Sequence, residues 1–224
     1  VLYASVLNTV TEAAVSQIVA ASLLNIIGAL YISRLFEPET LSDISYEETT
    51  SSLNYESTMD ALAKGTRDGI MLAVNVGAMV LVLVSLVALA NVVLSIANLL
   101  DTPLSLERIF GWVFSPIAWL IGIPWAESAI AGSLLGTKLV LNELVAFIQL
   151  AEVAPELSEH SIKVLTFALC GFANFGSLGI LLGGLYILVP DRREETIRIA
   201  PKSILSGTVV TLVSASLVSV IPSI

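Results

Sequence analysis

Charge is scarce in this sequence. Only 13% of its 224 residues are Asp, Glu, Lys or Arg, about half the norm of ~25% for soluble domains. A chain this poor in charge cannot cover a water-facing surface. A mean hydropathy of +0.91 and 56% hydrophobic residues make the lipid bilayer its expected solvent. Histidine and cysteine occur once each, which leaves no metal-ligand cluster, and no nucleophile constellation or phosphate-binding loop appears. The chain is therefore expected to be no enzyme and to need no cofactor. His160, in a polar stretch beside Glu159, reads as a solvated loop residue, and Cys170, alone in an apolar run, as a buried and inert thiol. The net charge of −9 comes from acidic residues crowded into loops, notably between Glu37 and Asp68, so it gives no reason to expect nucleic acid as a partner. An initiator Met and a basic leader segment are also lacking, so the sequence reads as beginning partway through a longer protein.

What is present is long apolar runs. A membrane helix needs about 20 such residues, at ~1.5 Å rise across a hydrocarbon core of ~30 Å. The stretches 13–33, 69–100, 164–190 and 203–224 qualify, and none contains a charge. The fold class expected is therefore an all-α integral membrane protein, a polytopic helical bundle. Between 109 and 151 the apolar material is interrupted by Pro116, Pro124, Glu127, Lys138 and Glu143, and two full spans do not fit. Irregular backbone at membrane depth is tolerated only inside protein or beside a water-filled cavity, so 128–151 reads as a re-entrant helical hairpin with its turn near 136–142. Residues 54–67 read as an amphipathic helix at the interface, following a mobile acidic loop.

Lys and Arg set the orientation. With the four spans alternating and the hairpin entering and leaving on one side, Arg34, Lys64, Arg67, Arg192, Arg193, Arg198 and Lys202 share a side, and only Arg108 and Lys163 lie opposite. The positive-inside rule makes the richer side cytoplasmic and the carboxyl terminus external.

Two segments are too polar for a lipid-facing helix. In the first, Gly132 to Glu143, Lys138 and Glu143 stand in the middle of the hairpin. A charge at the bilayer centre costs at least about 2.5–3.5 kcal/mol, and such residues face a pathway or pair with each other. An ion pair that only closes the turn is the plainer alternative, and the Gly132 to Gly136 spacing also suits tight helix packing. In the second, Cys170 to Gly179, three glycines lower helix propensity by about 1 kcal/mol each, beside Asn174 and Ser177. A discontinuous helix at midplane, facing a re-entrant hairpin, exposes polar groups to a substrate in transporters. A glycine-rich packing face, with Asn174 bonded to a neighbouring helix, is the alternative there.

The strings Leu104-Ser-Leu-Glu-Arg-Ile-Phe-Gly-Trp, Gly132-Ser-Leu-Leu-Gly-Thr-Lys-Leu-Val-Leu-Asn-Glu-Leu-Val-Ala-Phe147 and Ala168-Leu-Cys-Gly-Phe-Ala-Asn-Phe-Gly-Ser177 closely resemble the concentrative nucleoside transporter family, in its carboxyl-terminal part. The resemblance runs from about Ser16 to the end. It implies ion-coupled symport of nucleosides by a homotrimer, multi-pass in the plasma membrane, or in the inner membrane of a bacterium. It implies that Glu143, Asn174 and Ser177 bind the ribose, with Phe172 packed beside the sugar. The chemistry agrees, since a carboxylate is acceptor-only and takes two hydroxyl donors. The nucleobase and the coupling ion, sodium or proton, belong by the same resemblance to an upstream hairpin and broken helix in the half missing here. Leu24 to Leu30 departs from the family, which often has Ser-Ala-Pro-Ala-Ala there, and this bears on local helix shape. A non-transporting membrane gate or assembly module, built on the same hairpin and broken helix, is the alternative function.

Overall fold

A helix start leaves N–H groups without partners until a side chain accepts from them. Ser57, Ser105, Asn142, Ser158 and Asn174 each do so at the head of a helix. The structure is a computed structural model that describes residues 2–8, 10–11, 13–38, 56–96, 98–99, 102–189 and 192–221. Its helices are α1 (Leu2–Leu7), α2 (Ala14–Phe36), α3 (Thr58–Ser95), α4 (Leu106–Leu120), α5 (Ser128–Val140), α6 (Glu143–Val153), α7 (Glu159–Leu169), α8 (Phe175–Leu188) and α9 (Arg193–Ser219). Asn98–Leu99 and Thr102–Pro103 make a short antiparallel pairing between α3 and α4. The chain is an all-α membrane protein in which α2, α3 and α9 are long and apolar enough to cross a bilayer.

α3, α7 and α9 start earlier than the apolar runs that flagged them. α3 begins at Thr58, so the expected interfacial helix is, from there on, the first turns of α3; residues 54 and 55, like the loop at 39–53, lie outside the described residues. The Ser57 cap and an i,i+4 pair from Lys64 to Asp60 at 2.8 Å stabilise that polar entrance. At its other end α3 stops at Ser95, short of residue 100. Asn91 accepts from Leu106 N at 2.8 Å and donates to both Glu107 oxygens at 3.1 Å, which draws the start of α4 back onto α3. α9 runs through Pro201 from Arg193, ten residues before the apolar run begins. Glu194 and Glu195 in its first turn complement the helix dipole.

α7 and α8 are 11 and 14 residues long, about 16 and 21 Å, so each alone falls short of a ~30 Å core. Together, with the chain broken between them, they form the discontinuous helix. α5 and α6 are shorter than a span in the same way, with 13 and 11 residues, and are joined by Leu141 and Asn142 alone.

Close backbone approaches fix how the helices pair. A side chain at Gly132 would lie 2.6 Å from Ser115 N, and one at Gly136 would lie 2.6 Å from Glu107 O. α4 and α5 are therefore antiparallel, with their backbones in contact. Gly179 meets Met79 and Gly183 meets Asn75 in the same manner, which sets α8 antiparallel to α3. Along α2 and α9, Asn25 faces Ser214 and Glu37 faces Lys202. Phe114, Leu135, Phe147, Leu150, Leu165 and Leu169 fill the core between α4, α5, α6 and α7. The hairpin's two ends lie side by side: His160 Nε2 is 3.1 Å from Gly122 O, and Ser158 Oγ donates to Glu127 at 3.1 Å. His160 thus sits in the first turn of α7 with a backbone partner, not in a loop. Trp112, Trp119 and Trp125 are exposed, and such amphipathic rings suit the headgroup level.

At the opposite end, Glu37 binds Lys202 and, at 3.2 Å, Arg198. The Lys202 hydrogen bond is the main cause that holds the Glu37 carboxyl below its usual range. A depressed folded-state pKa adds stability above the unfolded value, about 4.3 for Glu, and that stability disappears as pH falls through the folded value. The melting temperature of the full-length protein should therefore exceed that of Glu37→Gln at neutral pH, and the gap should close below about pH 4. A gap that persists in acid would mean that Glu37 acts by packing and not by charge.

Candidate functional site

In lipid, every backbone polar group must find a partner inside the protein, and the carbonyls that end α7 at its break with α8 meet this demand. Cys170 N donates to Thr166 O and Phe167 O at 3.2 and 3.3 Å, and Gly171 N to Leu169 O at 2.8 Å. Ala168 O accepts from Lys138 Nζ at 2.7 Å, and Cys170 O from Asn25 Nδ2 at 2.6 Å. Each carbonyl from Thr166 to Cys170 thus has a donor. On the far side of the break, α8 opens with a capping box. Ser177 N donates to Asn174 Oδ1 at 2.7 Å, and Asn174 N to Ser177 Oγ at 3.0 Å.

The tip of the α5–α6 hairpin sits against both ends of this break. Asn142 is extended and caps α6 by accepting from Val145 N at 2.9 Å, which places Glu143 in the first turn. Lys138, in the last turn of α5, reaches the carbonyl end of α7. Glu143 reaches the amide end of α8, where Asn174 Nδ2 donates to its Oε2 at 3.0 Å. The positive charge thus meets the negative pole of one half-helix and the negative charge the positive pole of the other. Lys138 and Glu143 are not joined by an ion pair; they interact through space, while Lys138 bonds to Ala168 and, at 2.9 Å, to Thr211 Oγ1. An ion pair that merely closes the turn is not what the structure contains.

Glu143, Asn174 and Ser177 come together and are buried, at 4%, 2% and 8% exposure. Phe172 does not join them: it is 58% exposed and faces a largely apolar cavity of about 380 Å³, a volume within the range of small-molecule sites. Ser177 lines that cavity too, along with Asn25, Gly207 and Thr211, so it is the residue common to both. Glu143 Oε1 also accepts from Tyr3 Oη at 2.6 Å. Each carboxylate oxygen retains a second lone pair, so the group can accept a further hydroxyl on each side, as a vicinal diol would offer.

The glycines divide by role. Gly171 lies in the break, where a Cβ would meet Thr211 Cγ2 at 2.3 Å, so its lack of a side chain lets Thr211 reach Lys138. Gly176 and Gly179 lie within α8, and Gly179 serves its packing on α3. Sequence reasoning missed Tyr3, Asn25 and Thr211 as partners of this site. Asn25 carried a signal, being one of two amides, with Gln17, in the apolar run 13–33, and it occupies the segment that departs from the family. α2 is continuous there and uses Asn25 to bridge Cys170 O and Ser214 Oγ, the latter at 2.6 Å. Cys170 is buried, with its thiol 3.9 Å from Ser22 Oγ.

The family model described as "Na+ dependent nucleoside transporter C-terminus" matches residues 17–219. Among curated proteins, the uncharacterized transporter YutK of Bacillus subtilis is 47% identical over 161 residues, covering 71% of this chain and 40% of that protein. Nucleoside permease NupC of Helicobacter pylori is 36% identical over 212 residues, covering 89% of this chain and 49% of that protein. Among solved structures, a substituted CNTnw in its intermediate 3 state is 37% identical with a TM-score of 0.73, covering 89% of this chain and 50% of that one. The chain thus spans half or less of the length of these relatives. Their names describe transporters and permeases, not enzymes.

Proposed function

The chain belongs to the Na+-dependent nucleoside transporter family, as its carboxyl-terminal region, and on that premise we propose that the full protein carries nucleosides across a membrane by symport with an ion. In this reading Glu143, Asn174 and Ser177 hold the ribose, and Phe172 packs beside the sugar from the adjoining cavity. The observation that carries it is the buried Glu143 carboxylate, directed by the hairpin tip onto the capped start of a broken half-helix. A diol hydroxyl reaching Glu143 gains a charge-assisted hydrogen bond in a site shielded from water. The coupling ion is sodium or proton, bound in the upstream half. The assembly is a homotrimer in the plasma membrane, or the inner membrane if the source is bacterial.

Equilibrium binding of radiolabelled uridine to the full-length protein, followed by uptake under a sodium or proton gradient, tests the reading. Saturable binding and gradient-driven uptake are expected. Folded protein that binds no nucleoside would instead favour a gate or assembly module.

The re-entrant hairpin and the orientation are tested together. Cysteines placed at Ala126 and Glu156, both exposed at the two ends of the hairpin, should be labelled by an impermeant thiol reagent added outside intact cells. One at Arg193 should be protected. Cys170, the one thiol of this chain, is buried and adds little background. Labelling of 126 and 156 from opposite sides would make the hairpin a true span.

A further inference from the structure

Lys138 is 3% exposed, yet no carboxylate among the described residues pairs with it directly. Its ammonium is held by neutral oxygens: Ala168 O at 2.7 Å and Thr211 Oγ1 at 2.9 Å. The Thr211 hydroxyl proton is committed to Thr208 O at 3.0 Å, so the oxygen turns a lone pair to the ammonium. Ala168 stands in the last turn of α7, where the helix presents its negative pole. Gly171 keeps the approach open. A backbone carbonyl, a threonine hydroxyl and the carbonyl end of an interrupted helix are the surroundings in which transporters coordinate a small monovalent cation, and oxygen donors of this kind suit hard cations.

We infer that Lys138 is a tethered monovalent cation: its ammonium fills a cation position at the end of α7 and so locks the hairpin tip in the register that brings Glu143 to Asn174. Lys138 is then a positioning residue for the substrate, acting through Glu143 without touching the nucleoside. The inference rests on the nucleoside reading for its affinity readout alone. Its chemistry also predicts that the position, once vacated, accepts a free cation of matching size.

The test uses the full-length protein with Lys138→Ala, which removes the equivalent of one propylammonium ion. Uridine affinity should fall by about tenfold or more. Saturating n-propylammonium should restore it to within about threefold of wild type, while 1-propanol, of similar shape but uncharged, should not. Lys138→Met, which keeps the volume without the charge, should stay weak in both. Equal rescue by 1-propanol, or no rescue by the amine in folded protein, would overturn the inference. If Lys138→Ala does not fold unaided, the appearance of a cooperative melting transition with each additive becomes the readout, and the amine alone must restore it; failure of both additives, or success of the alcohol, counts against the inference. Wild-type uridine binding is measured in the same assay. Its absence would overturn the nucleoside reading and leave the amine's effect on melting to decide the role of Lys138.

Discussion

Glu143→Gln is expected to weaken uridine binding by a factor of about ten to more than a hundred while the protein stays folded. Hydrogen bonds to a charged group contribute about 1.5–3 kcal/mol, and each 1.4 kcal/mol is about tenfold in affinity. The fold survives because glutamine answers both native partners. Its amide oxygen takes the Asn174 Nδ2 proton, and its NH2 donates to the Tyr3 hydroxyl in place of accepting from it. Both contacts therefore keep a hydrogen bond, so the main loss is that of a charged acceptor at the sugar. A melting temperature near wild type, beside a large loss of affinity, is the expected pair of results. Unchanged affinity in folded protein would remove Glu143 from the site.

Gly136→Ala should have the largest effect on stability. The new methyl carbon would lie 2.6 Å from Glu107 O and 2.7 Å from Gly111 N, both backbone atoms of α4 that no rotamer change can move aside. α4 and α5 must therefore separate, and overpacking of this kind typically costs about 1–3 kcal/mol, occasionally more. The separation also shifts the hairpin tip, so uridine affinity should fall together with the melting temperature. Gly65→Ala is the control. It lies in α3 with no atom within 4 Å of the added carbon, and alanine's better helix propensity should make it neutral or stabilising by up to about 1 kcal/mol. If the two variants melt alike in purified full-length protein, the close α4–α5 approach is not what holds the hairpin.

Much of this arrangement was legible in the sequence for identifiable reasons. Intramembrane charge is costly, so Lys138 and Glu143 announced themselves, and Asn174 with Ser177 marked the place where α8 needs a cap. The helix starts were less legible, because an apolar run reports where lipid begins and not where the helix does. Thr58 and Arg193 precede their runs by ten or more residues, as a capped or dipole-matched polar turn extends each helix into the interface. Partner choice was the least legible. Lys138 had Glu143 five residues away, and sequence proximity suggested an ion pair, whereas the fold brings up Ala168 and Thr211 from 30 and 73 residues away. Tyr3, 140 residues from the carboxylate it donates to, gave no local signal. The glycines of α8 read as breaks, with packing as the alternative, and only the position of α3 distinguishes the two.

The most direct test of ribose recognition compares two ligands across one substitution. Equilibrium dissociation constants for uridine and 2′,3′-dideoxyuridine are measured with wild type and with Glu143→Gln in the full-length protein. If the carboxylate accepts the ribose hydroxyls, the substitution should cost uridine about tenfold or more and cost the dideoxy analogue little, since that ligand has no hydroxyl to lose at Glu143. Equal losses for the two ligands, in protein that remains folded, would contradict the assignment of Glu143 to the sugar.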